Sequence, residues 1–294
     1  MKKYRIGIIG TENSHADAFA SFFNKSDEKG EPIYPDCHVT LVYGHYPEAN
    51  ERVVRECGAD AIASSIDEMV HSVDAVMITA RDGKFHAEFA RPFIEAGIPV
   101  FIDKPFTTDV QEALMLVRLA KEKGVPLCGG SSLKYAEDIA ALKASAREST
   151  PLGGFVAAPL DFQSIYSGFW FYSAHLAEMC LETFGWQPKR VYAQEKNNSV
   201  QAIVDYEDFS VNCSFVNGCG SSYTGIVFGT KGTERKAVRL DNVFRRECDV
   251  FVETVRSGKM AHTYEQLVAP VRLLAAIEES YQTGRTVEIT YEAI

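Results

Sequence analysis

Short apolar runs alternate with amphipathic helical patterns over the first 130 residues. Continuous apolar runs such as YRIGIIG and PVFIDKP predict strands that are buried on both faces. Between them, apolar residues recur at helical spacing, as in the helix predicted from Ser14 to about Asn24. This alternation predicts an α/β domain over 1–130, a doubly wound parallel sheet with helices on both faces.

The rest of this region follows the same alternation. Gly58, Gly97 and Gly124 stand where predicted helices end. We predict further strands at HVTLVYG, DAVMITA and VPLCGG, and further helices over about 47–57, 84–96 and 109–123.

The pattern changes after about Ser131. One helix over about 135–146 leads into runs that alternate apolar and polar residues, including GFVAAPLDF, RVYAQE, SVQAIVDYEDFSVNCSFVN and SSYTGIVFGTKGTERKAV. The helical segment YSAHLAEMCLETFG interrupts them, and a helix over about 264–281 precedes the last strand, RTVEIT. We therefore predict a second, α+β domain over 131–294 with an open-faced, mostly antiparallel sheet.

Composition narrows the classes of partner and location. The net charge of −10 argues against nucleic acid or an anionic membrane as the main partner, because both attract basic surfaces. Seven scattered cysteines without a C-x-x-C pair indicate neither a disulfide framework nor a zinc site. No stretch approaches eighteen apolar residues. We expect a soluble cytoplasmic protein with reduced thiols.

The first strand leads into a glycine-rich turn that departs from the dinucleotide-binding pattern Gly-x-Gly-x-x-Gly. Gly10 is present, but Glu12 and His15 occupy the second and third glycine positions. A carboxylate about 4 Å from a phosphate opposes binding by about 4 kcal/mol at an effective dielectric near 20. Glu12 must therefore point away, be paired, or prevent the usual pose.

The same turn keeps groups that suit an anionic cofactor. Gly10, Thr11, Asn13, Ser14 and His15 surround the start of the first helix, whose amides attract anions. The second strand ends in GHY, without an acid for the ribose hydroxyls or an adjacent arginine for a 2′-phosphate. The sequence therefore leaves NAD and NADP as alternatives.

The segment FIDKPF contains the most specific catalytic candidate in the sequence. Lys104 follows a buried strand, Asp103 precedes it and Pro105 fixes the chain direction. An ammonium there can hydrogen-bond a substrate oxygen, and burial tunes its proton affinity, which suits general acid–base work on an alcohol or carbonyl. The alternative is a solvated lysine before a turn proline.

Other candidates follow strand ends or lie in loops. Ligands bind outside the carboxyl ends of parallel strands, which selects Thr79, Ala80 and His86 as cofactor contacts. Tyr135 and Tyr166 are selected as substrate contacts by loop position alone.

His175 is the candidate of the second domain. Glu178 lies three residues further along the same predicted helix and could orient the imidazole, and Tyr172 adds a phenolic donor. The alternative is that His175 only packs among neighbouring aromatic residues. The pair lacks further ligands at recognisable spacing, so no metal site is predicted.

These motifs together resemble the Gfo/Idh/MocA family, named for glucose-fructose oxidoreductase and inositol dehydrogenase. The similarity spans nearly the whole chain and is strongest over EAGIPVFIDKPFTTDVQEALMLVRLAKEKGVPL. The resemblance implies a Rossmann domain that binds NAD or NADP and a second domain often used for oligomerisation.

The resemblance also implies roles for individual residues. The family's Glu-Lys-Pro motif corresponds to Asp103, Lys104 and Pro105, with the lysine contacting nicotinamide and substrate and a cis Lys104–Pro105 peptide. The family's Asp-x-Gly-x-His-x-x-Asp motif aligns on His175 but has Phe171 in place of the first aspartate.

The resulting first hypothesis is an NAD(P)-dependent oxidoreductase acting on a hydroxyl or carbonyl of a sugar, cyclitol or related polyol. Lys104 and His175, assisted by Tyr172, would handle the hydroxyl proton. One alternative is a ligand-binding protein that has lost redox activity through Glu12 and Phe171, and another is a non-redox lyase or isomerase. We expect apolar residues of IVFGT and NCSFV on an exposed face of the second sheet, which predicts a homo-oligomer through that sheet.

Overall fold

The computed structural model describes residues 2–292 and 294 and divides the chain into two compact units. The first unit comprises Met1–Thr107, Gln111–Gly129 and Phe244–Tyr264. The second comprises Thr108–Val110, Gly130–Val243 and Glu265–Ile294. The sequence placed all of 131–294 in one domain, whereas the structure joins the stretch around 244–264 to the first unit.

The first unit is built on a six-stranded parallel sheet with strand order β3-β2-β1-β4-β5-β6. This is the order of a Rossmann fold, so the predicted fold class is confirmed. Its strands are β1 (Tyr4–Ile9), β2 (Cys37–Tyr43), β3 (Ala61–Ile62), β4 (Ala75–Ile78), β5 (Val100–Asp103) and β6 (Leu127–Gly130). Its helices before β6 are α1 (Ser14–Asn24), α2 (Pro47–Cys57), α3 (Ile66–Ser72), α4 (His86–Glu95) and α5 (Val110–Lys123).

The second unit contains a seven-stranded sheet with the order β12-β11-β7-β10-β9-β8-β13. Of the six strand pairs that form this sheet in the described residues, only β7–β10 is parallel, so the prediction of a mostly antiparallel sheet is confirmed. The strands are β7 (Pro151–Leu160), β8 (Arg190–Lys196), β9 (Ser199–Asp205), β10 (Ser210–Asn217), β11 (Thr224–Gly229), β12 (Gly232–Ala237) and β13 (Val287–Glu288). The helices after β6 are α6 (Glu137–Glu148), α7 (Phe169–Phe184), α8 (Val243–Ser257) and α9 (Tyr264–Thr283).

Helix α8 is the largest element that the sequence interpretation missed. Its buried residues Cys248, Phe251 and Val252 recur at helical spacing, so the signal was present. Phe251 packs edge-on against Phe101 of β5, with ring centroids 6.2 Å apart. The helix therefore completes the hydrophobic core of the first unit from a distant part of the sequence.

Strand alternation divides the second sheet into a buried face and an exposed face. Cys213 and Phe215 of the NCSFV run are buried, which corrects their assignment to an exposed apolar face. Ile203 and Phe228 are exposed. Helix α7 covers the buried face so closely that a Cβ on Gly154 would lie 2.2 Å from the Phe184 ring.

In the part of the chain that the structure describes, we find no helix with the length and apolar character needed to cross a membrane.

Candidate functional site

The turn after β1 is packed directly onto the end of β4. Gly10 has a φ of +95°, and a Cβ there would lie 2.1 Å from the backbone nitrogen of Ala80. Thr79 is fully buried, and its hydroxyl lies 3.1 Å from the carbonyl oxygen of Gly10. Only glycine fits at position 10, which explains why this part of the fingerprint is retained.

Asn13 organises the start of α1. Its Oδ1 accepts from the His15 amide at 3.2 Å and so caps the helix. Its Nδ2 donates to the Thr79 carbonyl at 3.0 Å and to Asp103 Oδ2 at 3.2 Å. One amide side chain thus joins the ends of β1, β4 and β5.

Thr11 and Ser14, the other two candidates in this turn, have different surroundings. The Thr11 hydroxyl donates to Asn50 Oδ1 at 2.5 Å, and Asn50 Nδ2 donates to the Gly44 carbonyl at 3.0 Å. Thr11 is therefore buried in the contact with α2, whereas Ser14 is exposed at the helix start. Asn50 was not among the predicted residues.

Glu12 is paired with the backbone after β4. Its Oε1 accepts from the Arg81 amide at 2.8 Å. The sequence required this carboxylate to point away, to be paired, or to prevent the usual cofactor pose, and the structure contains the paired arrangement.

His15 fills the third glycine position and lies against the predicted catalytic turn. Its Nδ1 is 2.6 Å from Asp103 Oδ2, and its ring packs tilted against Phe244 of α8 at 4.5 Å between centroids. The other oxygen of Asp103 accepts from the Lys104 amide at 2.6 Å. Two departures from the family pattern therefore meet at one buried carboxylate.

Lys104 is buried at the carboxyl end of β5, with 4% of its surface exposed. Burial lowers its pKa to about 8, with Arg81 acting in the same direction and Asp103 and Glu247 acting against it. The solvated-lysine alternative is therefore wrong. The Lys104–Pro105 peptide is cis, as the resemblance implied.

His86 joins the β4 loop to the segment after Lys104. Its Nδ1 lies 2.7 Å from the Pro105 carbonyl and its Nε2 lies 2.7 Å from the Ala80 carbonyl. The imidazole is fully buried, and its two contacts connect the segments that follow β4 and β5.

The second unit contains a buried cluster around His175. His175 Nδ1 is 2.7 Å from the Ser131 hydroxyl, which also accepts from the Leu133 amide at 3.2 Å. The sequence expected Glu178 to orient His175, whereas the structure puts Ser131 at Nδ1. Ser131 was not singled out, because its partner is 44 residues away in the chain.

Glu178 instead fixes the loop that carries Ser131. Its Oε1 accepts from the Ser131 amide at 2.6 Å and its Oε2 accepts from Lys134 Nζ at 2.7 Å. Gly130 has a φ of +84°, and a Cβ there would lie 2.2 Å from Glu178 Oε1. Glycine is thus required where the loop meets the carboxylate.

Aromatic residues surround His175. Tyr172 lies 6.3 Å from the His175 ring between centroids, and Tyr223 lies edge-on at 5.8 Å. Burial raises the pKa of Tyr223 to about 12. Tyr166 packs on Phe171 at 5.5 Å between ring centroids. Phe171, which the sequence resemblance aligns with an aspartate, thus packs against an aromatic neighbour.

Tyr135 extends this cluster on the side of Lys134. Lys134 Nζ lies 5.4 Å from the centre of the Tyr135 ring. The tyrosine is half-buried, and its predicted contact with substrate stays a prediction.

The described residues, 2–292 and 294, contain no group of three or more His, Cys, Asp or Glu side chains that could hold a metal ion.

Comparisons with known proteins relate residues 4–130 to a known family. Residues 4–130 match the family model GFO_IDH_MocA, described as "Oxidoreductase family, NAD-binding Rossmann fold". Over 99 residues the chain is 31% identical to myo-inositol dehydrogenase Hyg17 of Streptomyces leeuwenhoekii, which covers 33% of this chain and 30% of that protein. The chain therefore matches only about a third of this curated relative's length.

Solved structures extend the fold similarity to nearly the whole chain. Myo-inositol 2-dehydrogenase from Lactobacillus plantarum superposes with a TM-score of 0.83 at 16% identity, covering 98% of this chain and 100% of that one. Scyllo-inositol dehydrogenase from Lactobacillus casei, solved with NAD(H) and scyllo-inositol, has a TM-score of 0.82 at 16% identity, covering 98% and 99%. At this identity the likeness concerns the fold.

The cofactor prediction is confirmed at the level of the family, because the matched region is that of an NAD-binding fold. Residues 4–130 of this chain are thus similar to the NAD-binding Rossmann region of the Gfo/Idh/MocA oxidoreductase family, in agreement with the resemblance seen in the sequence.

Proposed function

We propose that this chain is an NAD-dependent oxidoreductase that interconverts a secondary hydroxyl and a carbonyl on a polyol or cyclitol. The observation that carries the proposal is Lys104, a buried lysine with a pKa lowered to about 8 at the carboxyl end of β5. It lies within the region that matches an NAD-binding family. A lysine of this kind suits proton transfer near neutral pH.

The residues of the first unit fit a dinucleotide. Gly10 keeps the turn tight against Ala80, and α1 begins directly beyond it with Ser14 exposed. Helix starts of this kind favour a pyrophosphate. The Glu12 carboxylate is held by the Arg81 amide, so a charge next to the phosphates is partly compensated. Gly10, Thr11, Asn13, Ser14, His15, Thr79, Ala80, His86, Asp103 and Lys104 are the residues we propose to form the cofactor site.

NAD, when bound, would accept the hydride from the carbinol carbon of the substrate. Lys104 in its neutral form would remove the hydroxyl proton in the oxidation direction and return it in the reduction direction. Asp103 holds the Lys104 amide and thereby the start of the turn. In the second unit, His175 is proposed as a further proton-transfer group, with Tyr172 assisting and with Tyr135 and Tyr166 contacting substrate.

The names of the relatives support the substrate class. The matched curated protein and two superposed structures are inositol dehydrogenases, so a cyclitol is the first substrate to test. We further propose a cytoplasmic homo-oligomer. None of the seven cysteines, all within the described residues, is in a disulfide, and the second sheet exposes Tyr192, Ile203 and Phe228.

The proposal is tested by following absorbance at 340 nm with NAD or NADP and a panel of myo-inositol, scyllo-inositol and glucose. Turnover with at least one cyclitol or sugar is expected, with NAD preferred. Lys104→Met should lower kcat/KM by about 10²–10⁴-fold, whereas Lys123→Met, a change of an exposed lysine on α5, should leave it unchanged.

Binding of NADH, measured separately by fluorescence, tells the two main failures apart. No binding at millimolar concentration would overturn the dehydrogenase proposal and favour the ligand-binding alternative. Binding without turnover on any polyol would overturn only the substrate class.

A further inference from the structure

Two positions that depart from the family pattern contact each other in this chain. His15 stands where the fingerprint has its third glycine, and Asp103 stands where the family motif has glutamate. Their side chains are 88 residues apart in sequence, yet His15 Nδ1 lies 2.6 Å from Asp103 Oδ2.

The environment of Asp103 makes this contact energetically important. The Asp103 side chain is fully buried. Burying a carboxylate costs free energy unless hydrogen-bond donors surround it. Burial acts to raise its pKa, but His15 and Lys104 outweigh burial, so the pKa is lowered. His15, Asn13 and the Lys104 amide supply the donors.

The two departures are also complementary in size. Aspartate is shorter than glutamate by one methylene, which withdraws the carboxylate toward the backbone of β5. The imidazole of His15, where the fingerprint has a glycine, occupies space at the start of α1 and reaches the Asp103 carboxylate. In a closely packed interior, restoring one family residue alone would overfill the space or empty it.

We infer that His15 and Asp103 are a coupled unit, in which His15 is a positioning residue that holds Asp103 and, through the Lys104 amide, the turn bearing the proposed catalytic lysine. This inference rests on the proposed function for the role of Lys104. The contact between His15 and Asp103 does not depend on it.

Charged side chains also act on the turn that contains Asp103 and Lys104. Lys104, Arg81 and Glu247 act on the same turn, and Glu247 comes from α8. The His15 ring itself is packed between Phe19 and Phe244, with centroids at 5.8 and 4.5 Å. The imidazole is thereby fixed in place, as a positioning residue requires.

A double-substitution cycle on the ligand-free protein tests the coupling. His15→Gly and Asp103→Glu should each lower the Tm by about 5 °C or more, since a change of 1 kcal/mol shifts the Tm by about 2–4 °C in domains of this size. The double variant, which restores the family pair, should recover at least half of the summed loss. Additive losses would overturn the coupled unit.

Titration of Lys104 tests the positioning role without any turnover. The ¹³Cε resonance of Lys104, assigned by its loss in Lys104→Met, should titrate near pH 8 in the wild type. His15→Gly should shift the midpoint by about half a pH unit or more, since one unit is 1.36 kcal/mol. The double variant should move it back toward the wild-type value, and His15→Asn, which keeps a donor, should shift it less.

An unchanged midpoint in His15→Gly would overturn the positioning role. A protein that shows the coupling and the shifted midpoint but oxidises no polyol would contradict the proposed function and leave this inference standing.

Discussion

Each unit of this protein buries a lysine beside a carboxylate, and the two arrangements differ in how the carboxylate is used. In the second unit, Lys134 Nζ is 2.7 Å from Glu178 Oε2, and both side chains are at most 3% exposed. In the first unit, the oxygens of Asp103 accept from Asn13 and the Lys104 amide and contact His15 Nδ1. The Lys134–Glu178 arrangement is a direct ion pair that fixes a loop. In the first unit Asp103 holds the backbone of the turn, and burial lowers the pKa of Lys104.

The comparison shows two uses of a buried carboxylate. Glu178 binds the ammonium of Lys134 directly, whereas Asp103 binds the backbone amide of Lys104 and the side chain of Asn13 and contacts His15. Substituting each lysine by methionine, which keeps length and removes charge, separates these two uses.

The largest expected effect is on turnover in Lys104→Met. Loss of a proton-transferring group should lower kcat/KM by about 10²–10⁴-fold. Stability should be retained or raised, because a pKa lowered from 10.5 to about 8 corresponds to a cost of roughly 3 kcal/mol for the buried ammonium at pH 7. Steady-state kinetics and thermal unfolding at pH 7 check both parts, and a large fall in Tm would contradict this interpretation.

The sign of this stability effect follows from the lowered pKa. Below about pH 8 the wild-type folded state contains the charged amine in a buried site. The increase in unfolding free energy caused by Lys104→Met is therefore largest in this pH range. Between about pH 8 and 10.5 the folded wild type is already neutral at this site, and the gain should shrink as pH rises.

Lys134→Met, in contrast to Lys104→Met, should lower the stability of the protein. It leaves the buried Glu178 without its ion-pair partner, which should cost roughly 3–5 kcal/mol of unfolding free energy. Denaturant unfolding measures this loss. Adding Glu178→Gln should restore part of the stability, and an absence of any recovery would contradict the ion-pair explanation.

The pH dependence of catalysis should follow Lys104. If the neutral amine takes the hydroxyl proton, kcat/KM for polyol oxidation should rise with pH through a midpoint near 8. Carbonyl reduction needs the protonated amine and should fall through the same midpoint. A profile that is flat from pH 6 to 10 in both directions would remove Lys104 from the proton transfer.

The smallest expected effect is that of Ser131→Ala. It removes the hydroxyl at His175 Nδ1, so we expect a loss of about 1 kcal/mol in stability or about tenfold in kcat. Ser145→Ala on α6 serves as the control of the same unit. Kinetics that match the control would show that the imidazole needs no partner at Nδ1.

Local sequence patterns were sufficient where one element determined the outcome. The apolar runs located β1, β4 and β5, and the position of Lys104 just after a buried strand identified it as a candidate. The predicted helix after Gly10 begins at Ser14 in the structure as well.

Contacts between distant segments could not be predicted in the same way. Ser131 meets His175 across 44 residues and His15 meets Asp103 across 88, and no local pattern encodes either pairing. Helix α8 was different, because its periodicity was readable but its place in the first unit was not. Glu247, which acts on Lys104, was missed with it.

The return of 244–264 to the first unit has a consequence for synthesis and for engineering. A ribosome must translate about nine-tenths of this chain before the first unit has all its parts, although its sheet is encoded at the start. No single cut separates the two units into intact domains. A fragment ending near residue 130 would expose the apolar surface that Phe251 and Val252 cover, so it should aggregate unless a peptide spanning α8 is supplied in trans.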